Sequence, residues 1–324
     1  MNFPPRIFRP LIFGLFGILL LPALSPSHAA SGCPNPGWFP TSFGLKDHSL
    51  FLYAGDYYLT AIYLPGETQF AYGRSSDLCV WEELTPILSE RIPGAWDENR
   101  IWAPFVFYEN GTYYLYYTGV TNEYTQSIML ATTSDPSMPD SWIEQGLIFQ
   151  PNHPNMIWTV GQWADNRDPH VIKVGQLYYL YYTGTDADGG IIGLATADSP
   201  LGPWIDLGSV VTPQAGNSLE SPSVFFANNT YYLVYHQTTP SGSEGAYSLI
   251  NSAPTGLWTQ PIALSPGWAH EFWQDQSGDW FTSYLTNFSI TISPFVWDPF
   301  YSPPRPFIGS QILRTFLPVA GREN

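Results

Sequence analysis

WAPFVFYENGTYYLYYT (102–118) and RDPHVIKVGQLYYLYYT (167–183) share one pattern. Each opens with a few polar or small residues around a proline and continues as a short apolar strand. Each then turns through a glycine and ends in an aromatic-rich strand. Three more stretches repeat the pattern: KDHSLFLYAGDYYLTAI from Lys46, LESPSVFFANNTYYLVYH from Leu219 and AHEFWQDQSGDWFTSYLT from Ala269. The aromatic pairs that open the second strand are Tyr57–Tyr58, Tyr113–Tyr114, Tyr178–Tyr179, Tyr231–Tyr232 and Trp280–Phe281, at intervals of 56, 65, 53 and 49 residues. A second series follows each hairpin and ends at Trp81, Trp142, Trp204 and Trp258, with a weaker fifth copy, SITISPFVW, ending at Trp297. It reads as a third strand, a tight turn and a fourth strand opened by tryptophan.

Five four-stranded antiparallel units at a period near 50 residues predict a repeat architecture. A lone sheet cannot bury both faces, whereas sheets packed face to face around an axis can, with only short edges left open. The expectation is an all-β protein, a five-bladed β-propeller over residues 45–310. A duplicated β-sandwich would not explain four strands and a tryptophan in each copy. The regular aromatics are read as packing between blades.

Composition agrees with a folded, exported protein. Of the 324 residues, 12% are charged and 17% aromatic, which excludes a disordered chain. The 31 prolines and 28 glycines disfavour long helices. A net charge of −16 disfavours nucleic acid, which recruits basic surfaces. Arg6 and Arg9 precede the apolar run 11–24 and the small residues SPSHAA, the pattern of a secretory signal (1–29) cut near Ala29. The run is shorter than the ~20 residues of a spanning helix. Residues 30–44 are read as an N-terminal extension and 311–324 as a tail. In an exported chain Cys33 and Cys79 predict one disulfide; a lipid anchor at Cys33 is the alternative. A secreted or periplasmic monomer, free of the membrane after signal cleavage, is expected. Asn110, Asn228 and Asn287 open matches to the glycosylation acceptor pattern.

The innermost strands of a propeller run the same way along the axis, so their first residues meet at one mouth of the channel. Aligning the repeats on the aromatic pairs places Asp47, Ala103, Asp168, Glu220–Ser221 and His270 there. Crowded carboxylates repel, and burial raises their pKa values. Groups pushed apart in pKa at one site are what acid/base catalysis uses. Three carboxylates without a cysteine or a basic cluster point to glycoside hydrolysis. Trp96, Trp158, Trp163 and Trp268 fall outside the packing register, on loops entering blades II, III and V, and are candidates for stacking on sugar rings. The insertion at 150–166 is expected to wall one side of the cleft.

The ordered set WAP (102–104), RDP (167–169) and ESP (220–222), with Asp47 in blade I, resembles glycoside hydrolase family 43. The resemblance covers about residues 45–310. It implies Asp47 as the general base that activates water, Glu220 as the general acid, and Asp168 as the ionised neighbour that orients Glu220 and raises its pKa. Trp96, Trp102, Trp163, Arg167 and His170 are the candidate substrate-binding residues, with Arg167 expected to support its neighbours more than to touch sugar. His270 falls where arabinan-degrading members have a channel histidine near a bound ion, which suggests Ca²⁺ without requiring a cofactor; a hydrogen-bonded channel filler is the other reading. The substrate implied is an oligo- or polysaccharide, arabinan first and xylosyl linkages second, cleaved with inversion. The chain departs from the family pattern at His48, where Asp-Pro is usual, and at Phe105, where WAPD is frequent. A retaining fructan- or sucrose-cleaving enzyme and a non-catalytic sugar-binding propeller remain as alternatives.

Overall fold

The computed structural model describes Cys33 and residues 35–308, apart from 215, 243, 260, 265–266, 276–277 and 299–302. The signal segment with Ala29 and the tail 311–324 lie outside the described residues. Among those described, no helix is long and apolar enough to cross a membrane.

The strands form five four-stranded antiparallel units in chain order. Blade I comprises Gly44–Tyr53, Asp56–Leu64, Phe70–Ser75 and Glu82–Ile87. Blade II comprises Arg100–Glu109, Thr112–Val120, Gln126–Thr133 and Ile143–Phe149. Blade III comprises Asn166–Val174, Leu177–Asp186, Gly189–Ala197 and Ile205–Val211. Blade IV comprises Ser218–Ala227, Thr230–Thr238, Glu244–Asn251 and the two-residue Ile262–Ala263. Blade V comprises Trp268–Gln274, Trp280–Thr286, Ser289–Asp298 and Arg305–Ile308. The first strands touch in the order I to V, and that of blade V returns to that of blade I, closing the ring.

Closure also uses a strand that the repeat did not reveal. Gly37–Trp38 pairs with Ile290 and Thr291 in the third strand of blade V. The segment read as an extension is therefore partly blade. It ties blade V to blade I, because Gly37 N–H donates to Leu78 O at 2.9 Å and Cys33 is disulfide-bonded to Cys79. The Trp38 ring stacks on Trp81 and lies over Gly73, where a Cβ would come within 2.9 Å of it. Trp297 is a second correction: it lies within the third strand of blade V, not at the start of a fourth.

The aromatic repeats serve the blade interfaces. Trp142, Trp204 and Trp258 are buried immediately before or near their fourth strands, and Tyr57, Tyr58, Tyr113, Tyr178 and Tyr232 are buried in the second. Four tyrosines also latch each blade to the next. The hydroxyls of Tyr72, Tyr116, Tyr181 and Tyr232 donate to the carbonyls of Pro136, Pro200, Pro254 and Pro304 at 2.5–2.7 Å. A buried aromatic thus supplies both apolar area and a directional bond across the interface. Tyr116→Phe keeps the ring but strands the buried Pro200 carbonyl, a cost of about 1–3 kcal/mol. A lower urea midpoint with an unchanged slope is the expected result.

Candidate active site

Each innermost strand carries one extra residue near its start. The pairing register slips by one between Lys46 and His48, Trp102 and Phe105, Arg167 and His170, Glu220 and Ser223, and Trp268 and Glu271. At these bulges Asp47, Ala103, Asp168, Ser221 and Ala269 adopt left-handed backbone with φ of 28°, 45°, 56°, 54° and 50°. Non-glycine residues rarely occupy this region, and bulges re-aim side chains at strand ends. Proline follows in three blades (Pro104, Pro169, Pro222), where a broken ladder needs no N–H. In blades I and V the same place holds His48 and His270.

The bulge sorts side chains between two spaces. The residues just before the bulge, together with Asp47, Asp168 and Ser221, line a cavity of about 290 Å³ on the propeller face. Its chemistry-bearing walls are Asp47, Asp168, Glu220, Arg167, Lys46 and the rings of Trp102, Trp163 and Trp268. The residues just after the bulge line a narrow channel void of about 30 Å³, which also reaches Asp47 and Asp168. The three carboxylates, far apart in sequence, thus share one cavity.

Their surroundings differ. Asp168 Oδ2 accepts from Thr183 Oγ1 at 2.7 Å and from Ser221 N–H at 3.0 Å. It therefore braces the backbone next to Glu220. Arg167 donates to Glu220 Oε2 at 3.2 Å, pairs with Asp165, and has its Nε 3.7 Å from Asp168 Oδ2. Asp47 makes no side-chain hydrogen bond among the described residues, which leaves its oxygens free for water or substrate. Burial, and then the Asp168 and Glu220 charges against the opposing pull of Lys46 and Arg167, holds the Asp47 carboxyl well above the usual range. Burial also raises Glu220, opposed by Arg167 and reinforced by Asp168. One group must be ionised to act as base and the other protonated to act as acid. Arg167 lowers both pKa values, so Arg167→Met is expected to move both limbs of the kcat/KM–pH profile to higher pH; an unmoved profile would contradict this.

The aromatic wall is a cluster. Trp163 stacks on Tyr124 (ring centroids 5.6 Å, 17° between planes), and Trp102 lies 6.5 Å from each. Trp163 is 59% exposed, although its Nε1 donates to Asp165 Oδ1. Trp102 Nε1 donates to Glu67 Oε2 at 2.8 Å, and Arg100 pairs with the same carboxylate. Trp163 and Asp165 both come from the 150–166 insertion.

Two residues assigned to sugar do not face the cavity. His170 is buried, its Nε2 is 2.9 Å from Val224 O, and its ring packs 4.1 Å from Phe105. It lies two positions past Asp168, so the bulge turns it into the blade interface. Trp96 packs 6.3 Å from Trp158, whose Nε1 donates to Gln126 O; both anchor loops. The departures from the family pattern sit in the same places. Phe105 fills the space beside His170, and His48 Nε2 bonds Ser283 Oγ at 2.7 Å.

The register also shifts two expectations by one residue. Glu220 precedes the bulge residue Ser221, and His270 follows Ala269, so His270 faces the channel. Burial lowers the pKa of His270 to about 3, and its Nε2 finds no hydrogen-bond partner among the described residues. That nitrogen is a poor match for Ca²⁺, which takes 6–8 oxygen ligands. Among the described residues no group of three or more His, Cys, Asp or Glu side chains could hold a metal ion. The protein donors alone therefore do not fit Ca²⁺.

The family model for glycosyl hydrolases family 43 matches residues 41–159 and 149–245. The chain belongs to this family. The extracellular endo-α-(1→5)-L-arabinanase 1 of Bacillus subtilis is 26% identical over 228 residues, 67% of this chain and 64% of that protein. A probable arabinan endo-1,5-α-L-arabinosidase A of Aspergillus flavus is 36% identical over 113 residues, 33% of this chain. The match spans about a third of the length of such fungal relatives. The solved α-L-arabinanase of Cellvibrio cellulosa superposes with a TM-score of 0.64 at 15% identity, covering 85% of this chain and 98% of that one. At that identity the likeness shows the fold alone. The family resemblance carried by WAP, RDP and ESP is thus borne out.

The spacing did not point to Lys46, which lines the cavity, or to Glu67, Tyr124, Asp165 and Thr183, which hold its lining residues. Asp165 had a signal in its place beside Arg167, but Glu67 and Tyr124 lie on hairpin loops whose reach no spacing reveals.

Proposed function

We propose that this chain is an exported glycosidase that hydrolyses α-L-arabinofuranosyl linkages of arabinan with inversion. The observation that supports this best is the single cavity holding Asp47, Asp168, Glu220 and three tryptophans. Glu220 donates a proton to the glycosidic oxygen as the bond breaks. Asp47 takes a proton from the water that attacks the anomeric carbon from the opposite side. Asp168 accepts from the Ser221 N–H and so fixes the strand that carries Glu220. Inversion needs ~6.5–9.5 Å between acid and base, room for that water. The tryptophan faces bind sugar rings and exclude solvent. The arabinanase relatives support arabinan over xylan, and the extracellular relative supports export. A screen of dye-linked arabinan, xylan and levan tests the reading: release from arabinan is expected, and release from levan alone would overturn it.

No cofactor enters these steps. Activity on arabinan is expected to survive exhaustive chelation. A loss reversed by added Ca²⁺ would instead put a hydrated ion beside His270.

A further inference from the structure

A second cavity of about 560 Å³ opens between blades IV and V, on the same propeller face. Its walls include His236, Glu244, Leu285, Thr286 and Asn287, and it shares Trp268 with the catalytic cavity. Trp268 is thus a partition with one side on the carboxylates and the other on this space. The indole is held by His236, whose ring centroid lies 3.5 Å away. His236 is 4% exposed and its Nδ1 finds no partner among the described residues. It is also the cross-strand neighbour of Glu220. Burial keeps the imidazole neutral, so it packs as a flat ring rather than as a cation. Polar side chains around one aromatic wall, continuous with a catalytic cleft, are the composition of a sugar subsite.

We propose that the cavity between blades IV and V binds the pentofuranosyl units of the same glycan chain that extend past the cleavage point, and that His236 is the positioning residue holding Trp268 as their shared platform. This rests on the reading of the cleft as a glycan-cleaving site. Together with the Trp102–Tyr124–Trp163 cluster it gives the cleft sugar platforms on both sides of the carboxylates.

The test measures binding in the Glu220→Gln background, using linear α-1,5-linked arabinofuranosyl oligosaccharides of two to six units and titration calorimetry. Affinity is expected to rise at least tenfold between the shortest and longest ligands. Adding Trp268→Ala or His236→Ala should remove most of that rise, with a smaller loss of two-unit affinity because Trp268 also walls the catalytic cavity; adding His236→Phe should preserve the rise. A gain with chain length that survives both alanine variants overturns the proposal. So does an equal loss on short and long ligands. Should His236→Ala fail to fold, Trp268→Ala and His236→Phe still decide the matter. Hydrolysis of arabinan by the unaltered enzyme is recorded in parallel. If it cleaves but the length dependence survives, only the cavity assignment fails; if it neither cleaves nor binds, the reading of the cleft fails too.

Discussion

Asp47→Asn is expected to lower kcat on arabinan by about 10³-fold or more without changing the melting temperature by more than a few degrees. A positioned general base contributes roughly 10²–10⁴-fold, and a 10³-fold loss corresponds to about 4 kcal/mol of barrier. Asparagine matches the shape of aspartate but cannot take the proton from water. Asp47 makes no side-chain bond among the described residues, so the fold has little to lose. It occupies a left-handed position (φ 28°) that asparagine tolerates better than most residues. KM should change little, because the substituted group acts on water rather than on sugar. A residual rate above a tenth of the parent's would remove Asp47 from the chemistry and return the non-catalytic propeller to consideration.

Glu220→Gln should show a different signature. The proton it donates matters in proportion to how poor the leaving group is. Hydrolysis of arabinan, whose leaving group is a sugar alkoxide, is expected to fall about 10³-fold. An activated aryl arabinofuranoside leaves as a stable phenolate and should lose only about tenfold or less. The alkaline limb of the pH profile should disappear with the group that loses its proton there. Equal losses on both substrates would mean that Glu220 holds substrate rather than protonating it. Burial raises the pKa of Glu220, opposed by Arg167 and reinforced by Asp168, which is the direction a proton donor requires.

Much of this could be read before any coordinates. The aromatic pairs keep their place in every blade because the interfaces need flat apolar rings there, so the repeat survives divergence. Asp47, Asp168 and Glu220 fall at its start for the same reason. The bulge was not legible. It adds one residue to each first strand at a point where nothing in the local composition of blades I and V announces it. Only the prolines at 104, 169 and 222 hint at a broken ladder. A one-residue slip decides what a side chain faces. That is why Arg167 reaches the cavity while His170 is turned to the blade interface, and why His270 faces the channel. The ring-closing strand Gly37–Trp38 was too short to carry a pattern. Loop residues such as Trp96 and Tyr124 differ only in where their loops fold. Packing decides that, and periodicity does not record it.

The central claim is that Asp47 and Glu220 cleave a glycosidic bond by direct attack of water. Proton NMR during the first minutes of hydrolysis of a linear arabino-oligosaccharide tests it most directly. The β-L-arabinofuranosyl product should appear first and only then relax toward its anomeric equilibrium. An initial α product would show retention through a covalent intermediate and contradict the account.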